Sequence, residues 1–262
     1  MAISRGLALG VLMSIVATAA VQADPIGQAP AVDGYVNLGT GPYADSTLIA
    51  NGTPTPWYTS SAITRLFGGT PTFQQALSFD QAVMQDVQQT FQSSGVSITL
   101  SDNPNVAALH SLSLVANASS AAFNGAIGTT ILNGSGLSFI DPIAAASQSL
   151  NQLELIAAHN IAHELMLAFG VGEYYDQSGN YIDSTNANFA MMVNPNATFS
   201  AGAAQALRNV LSPDGSGQIM VKMPQMLNTS DVTPAPEPAT MVLWGSMAAL
   251  AMVAGRRYRR DA

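Results

Sequence analysis

The chain contains no cysteine and only three histidines among its 262 residues. Without cysteine there is no disulfide, no thiolate nucleophile and no sulfur ligand, so stability rests on packing. Basic residues are almost as scarce. Between residues 24 and 232, Arg65, Arg208 and Lys222 stand against fourteen acidic side chains, a formal charge of −11. Such a body repels phosphate backbones and anionic lipid, which excludes nucleic acid as a partner. Trp57 and Trp244 are the only tryptophans, which offers little to a carbohydrate-binding module. Ser, Thr, Asn and Gln supply the surface polarity instead of Lys and Glu, as suits a secreted protein.

What is present begins at the two ends. Arg5, an apolar run over Gly6 to Ala20 and the small-residue site Val21-Gln22-Ala23 read as a signal peptide over 1–23. Near the other end, Pro236-Glu237-Pro238 precedes an apolar stretch, Ala239 to Ala254, followed by Arg256, Arg257, Arg259 and Arg260. That stretch is close to the lower limit for a spanning helix, about 17 residues, and the arginines would remain cytoplasmic. The tripartite tail, 236–262, resembles the PEP-CTERM sorting signal of Gram-negative bacteria. The resemblance implies handling by an exosortase-type enzyme, transient anchoring in the inner membrane through residues 239–254, and delivery to the cell surface or extracellular matrix.

Residues 24–75, rich in Gly, Pro and Thr, read as a loop-rich segment with an edge strand or two, for instance around Tyr35 to Leu38. Phe79, Val83, Val87 and Phe91 recur every four residues and predict an amphipathic helix over 78–93, ended by Gly95. Strict alternation predicts a half-buried strand over 96–100, and further strands are expected over 109–115 and 137–140. Small residues alternate with Gly through Ile131-Leu132. Asn151 with Glu154 has the form of a capping box opening a helix that runs to Phe169, where Gly170 and Gly172 close it. Asp176 to Asp183 reads as a turn whose glycine is misplaced for a calcium loop. A last helix covers 200–211, and 224–235 is a linker.

The helix before Gly170 carries the chemistry. Leu155, His159, His163 and Leu167 form one stripe at four-residue spacing. Two histidines at i and i+4 present both imidazoles to one Zn²⁺, and a glutamate after the first ligand takes the proton of a metal-bound water. Downstream come Phe189 to Pro195, with Met191 and Met192, and then the last helix. From about 79 to 211 this order of elements resembles a metzincin zinc peptidase of the matrixin-like branch, in which a methionine-bearing turn underlies the metal. The resemblance implies an α+β domain over 76–223: a mixed, twisted sheet, an N-terminal helix, an active-site helix, and a C-terminal helix after the Met-turn. It also implies zinc as cofactor and peptide-bond hydrolysis as activity.

The motif departs from HExxHxxGxxH in either of two registers. With His159 and His163 as paired ligands, Asn160 stands at the base position, Met166 at the glycine and Phe169 at the third ligand. With His163 first, Glu164 is the general base, Gly170 matches, Glu173 replaces the third histidine, and Leu167 replaces the second. The second register fits better, because Gly170 is where the helix has to stop. The candidate site is therefore Glu164 as base, with His159, His163 and Glu173 as metal ligands. A non-catalytic matrix or adhesion protein using the same fold as a scaffold is the alternative. His110, alone on a strand, reads as a satisfied polar residue.

Overall fold

The computed structural model describes residues 32–43, 46–120, 126–185 and 187–211. The segments expected to be a signal peptide, a linker and a sorting tail lie outside the described residues. Among the described residues, no helix is long and apolar enough to cross a membrane.

The molecule is α+β. Its sheet comprises β1 (Val32–Asn37), β2 (Ile49–Pro56), β3 (Leu100–Ser101), β4 (Ala108–Ser120), β5 (Gly128–Thr130) and β6 (Ser135–Phe139). The strands run in the order β3-β1-β4-β6-β5, with β2 added alongside the second half of β4. Pairing is parallel between β3 and β1, β1 and β4, and β4 and β6; β5 returns antiparallel to β6, and β2 antiparallel to β4. Parallel neighbours need a long crossover, and the helix α2 (Phe73–Ser93) lies in the connection that leads from β1 and β2 to β3. The other helices are α1 (Thr64–Phe67), α3 (Ile140–Ala146), α4 (Leu150–Ala168), α5 (Phe189–Met192) and α6 (Ala201–Val210).

Alternation along β4 explains why the sheet has a core on each face. Leu112, Leu114 and Ala116 point to the helices and are fully buried in the main cluster. Val115 points the other way and joins Leu137 and Phe139 beneath Tyr43, Leu48 and Ile49. On the helical side α2 contributes Phe79, Val83, Val87 and Phe91, the four-residue repeat visible in the sequence. Both α2 and the sheet pack against α4. Thirteen of the nineteen residues of α4 are buried, so it is a central helix rather than a surface one, and its polar residues need partners inside the fold.

Several expectations are corrected. Helix α2 starts at Phe73, five residues before the expected start, because Thr72 and Gln75 form a capping box. The N-cap of α4 is Ser149, whose hydroxyl accepts from the Gln152 amide at 3.3 Å, not Asn151 with Glu154. The segment read as loop-rich supplies two strands, and β1 sits between β3 and β4 rather than at an edge. The alternation over 96–100 is real in burial, with Val96 and Ile98 inside, yet only Leu100 and Ser101 enter the ladder. Just before it, the Asp33 carboxylate accepts from the amide and hydroxyl of Thr99 and holds the chain beside β1. His110 is satisfied as expected, with Nδ1 3.1 Å from the Gly134 carbonyl.

Candidate functional site

Consecutive residues on α4 stand about 100° apart, and the structure gives its two polar stripes different walls. His159 and His163 face the segment that follows the helix. His159 Nδ1 lies 2.8 Å from the carbonyl of Met192, the last residue of α5. His163 Nδ1 lies 2.7 Å from the Ile182 carbonyl. A carbonyl only accepts, so both rings carry a proton on Nδ1 and turn Nε2 away from the backbone. Asn160 and Glu164 face the hairpin of β5 and β6. The Asn160 amide donates to the Ile127 carbonyl at 3.0 Å and to Ser138 Oγ at 2.8 Å. Thr130 Oγ1 donates to Glu164 Oε2 at 2.5 Å.

Gly128 makes this second wall possible. A Cβ at that position would stand 2.6 Å from the Glu164 carboxyl carbon and 2.8 Å from the Asn160 amide nitrogen, and closer still to Glu164 Oε1. The strand backbone therefore lies directly on the carboxylate, which is 5 % exposed. The sequence shows Gly128 and Thr130 only as part of a run of small residues. Their role depends on the hairpin folding back onto a helix some thirty residues later, which no local pattern displays.

Glu173 reaches His163 after the chain turns at Gly170, whose φ of 87° favours glycine. Its Oε1 lies 3.0 Å from His163 Nε2, with both side chains 16 % exposed. Burial alone would lower the His163 pKa. The hydrogen bond to Glu173 and its charge, with smaller help from Glu164 and the Ile182 carbonyl, overcome that and push it up to about 10. His163 is thus an imidazolium at neutral pH, with Nε2–H donating to the carboxylate. His159 is the opposite case. Burial lowers its pKa, the Met192 carbonyl opposing this only in part, so it is neutral and its Nε2 presents a lone pair. Among the described residues that Nε2 receives no hydrogen bond.

The structure thus brings His163 and Glu173 into contact, sets His159 one turn behind them, and places Glu164 on a separate wall. Leu167 is partly buried against the core. The donor chemistry suits zinc, because an Nδ1–H···O=C bond orients a ligating imidazole in the way metal sites use. Among the described residues, no three His, Cys, Asp or Glu side chains are grouped to hold one ion. The downstream turn is closed on itself, with Asp176 accepting from the Ser178 amide and hydroxyl and from Ser184. Asp183, fully buried, accepts from the amide and hydroxyl of Ser200, the N-cap of α6. Comparison of the chain with protein-family models, curated proteins and solved structures finds no match to any of them.

Proposed function

We propose that this is an exported, surface- or matrix-associated protein that uses a metzincin-like fold as a non-catalytic scaffold. The observation that carries the reading is the burial of Glu164 against Gly128 with Thr130 as its partner. A peptidase base needs a water between its carboxylate and the metal, and here the strand backbone fills the place beside Oε1. The other register offers no substitute, because its base position holds Asn160, an amide that takes up no proton. The order of elements supports the fold assignment: an N-terminal helix, a mixed sheet with an antiparallel edge strand, a buried histidine helix, a short turn with Met191 and Met192, and a last helix. The acidic body and paired end signals support export, with an exosortase-type enzyme as processing partner.

One observation favours a second reading, weak zinc capture by His159 and His163 with Glu173. Both rings are held through Nδ1, and the buried Nε2 of His159 is without a hydrogen bond among the described residues. The test is a casein-hydrolysis assay of the purified protein at pH 7.5 with and without added zinc, alongside metal analysis. The scaffold reading expects no hydrolysis in either condition. Zinc-dependent hydrolysis that disappears in Glu164→Gln would overturn it.

A further inference from the structure

On the far side of α4 from the histidine stripe, the first turns of α2 and α4 leave an open groove of about 220 Å³. Phe67, Phe79 and Leu150 form its apolar walls, Gln75 and Ser78 its polar rim, and Glu154 contributes a carboxylate. The sequence suggests that Glu154 caps α4. With Ser149 as the N-cap instead, its side chain is released from that task, and among the described residues it has no hydrogen bond. We propose that this groove binds an alkylammonium group, the end of a lysine side chain or a small primary amine, with the stem on the partly exposed Phe67 and Leu150 and the charge at Glu154.

Charge and shape both point to that chemistry. Glu154 stands close enough to Asp86 to feel its charge. Burial first, and the charge of Asp86 second, raise the Glu154 pKa, and among the described residues no basic side chain is paired with Glu154. The two basic residues among the described ones are committed elsewhere: Arg65 donates to the carbonyls of Ala144 and Ser147, and Arg208 to those of Ser94 and Gly95. A cation from outside would relieve the pair. The walls select one with an apolar stem, because the partly exposed Phe67 and Leu150 offer apolar surface and not hydrogen-bond donors.

Trp57 supplies the readout, since its ring lies 4.2 Å from Phe79 and 5.9 Å from Phe67, centroid to centroid. The full chain carrying Trp244→Phe, purified in detergent, would be titrated with n-pentylamine and, separately, n-pentanol while Trp57 fluorescence is followed. A saturable change in the millimolar range with the amine, at least fivefold tighter than with the alcohol, is expected. Glu154→Gln keeps the groove's shape and should abolish that fivefold preference. The peptides Gly-Lys-Gly and Gly-norleucine-Gly distinguish a side chain from a free amine: tighter binding of the lysine peptide than of pentylamine assigns a peptide ligand, weaker binding a free amine. Equal response to amine and alcohol, an unchanged preference in Glu154→Gln, or no saturable response would each overturn the proposal.

Discussion

Replacing Glu173 with glutamine tests whether His163 is held by a proton-bearing ion pair. The substitution keeps the shape and a carbonyl oxygen for His163 Nε2–H, and removes the charge. The sign follows from linkage. The folded pKa of His163, about 10, lies above the ordinary value of 6.5, so its contribution is fully present below about pH 6.5 and is lost as pH rises through about 10. At pH 7 the shift corresponds to a ceiling of about 4 kcal/mol, at about 1.4 kcal/mol per pKa unit. The true loss is smaller, since both side chains keep 16 % of their surface in water and glutamine retains a hydrogen bond. A loss of about 1.5–3 kcal/mol is expected, or several degrees in Tm for a domain of this size. Urea melts at pH 6.5, 8 and 9.5 would show it. The gap between the parent protein and Glu173→Gln should be largest at pH 6.5 and shrink toward pH 9.5. A gap that is absent at pH 6.5, or constant with pH, would refute the ion pair.

Three further outcomes are expected. Gly128→Ala should cost about 2 kcal/mol or more, because its Cβ meets the Glu164 carboxylate and the Asn160 amide; in Glu164→Ala the same change should cost at least 1 kcal/mol less, and a double-mutant cycle from urea melts reads the difference. Asp80 accepts from Trp57 Nε1 at 2.9 Å and is pushed up to about 7, burial outweighing that bond, so the parent protein loses stability as pH rises from about 4 through 7. Asp80→Asn, which keeps an acceptor for Trp57, should therefore gain about 1–2 kcal/mol at pH 8 after allowance for partial exposure and nothing at pH 4, as read from denaturation midpoints. Ser149→Ala should cost about 1 kcal/mol and Asn151→Ala a few tenths, which thermal melts of the two variants compare directly.

How far the sequence discloses the molecule depends on how local each signal is. The α2 repeat of Phe79, Val83, Val87 and Phe91 is a single-helix property, and it reads directly. The helix closing at Gly170 reads equally well, because a positive φ there asks for glycine. Strand β1 does not: Val32-Asp33-Gly34-Tyr35 has a glycine in its middle, and its place between β3 and β4 comes from pairing with residues more than sixty positions away. Strand β2, with Asn51-Gly52 and two prolines, has little strand character of its own and is held by the second half of β4, with two register shifts. The choice between Ser149 and Asn151 as cap is open locally, since serine and asparagine are both good N-cap residues, but only Ser149 accepts the bond. Starting at Ser149 places Leu150 on the core and against the groove beside Phe67, a tertiary gain that no local pattern displays.

The candidate site divides in the same way, and the division bears on its meaning. The histidine spacing and Glu173 are legible, because the first needs only helical periodicity and the second only a turn after Gly170. Which wall each residue meets is not, because one wall is built from 127–138 and the other from 182–192, far apart in the chain. Both base positions, Asn160 in one register and Glu164 in the other, fall on the stripe that faces the β5–β6 hairpin, and both are engaged there. A water-activating glutamate needs its carboxylate open toward the metal, whereas a brace needs it closed onto a partner. Gly128 permits the second arrangement by letting the strand approach until no side chain separates backbone from carboxylate. The two polar stripes of α4 therefore tie it to two different parts of the fold, the edge hairpin and the segment around Met192. In a chain with no disulfide to do so, that tethering is a sufficient physical reason for polar residues to occupy a buried helix.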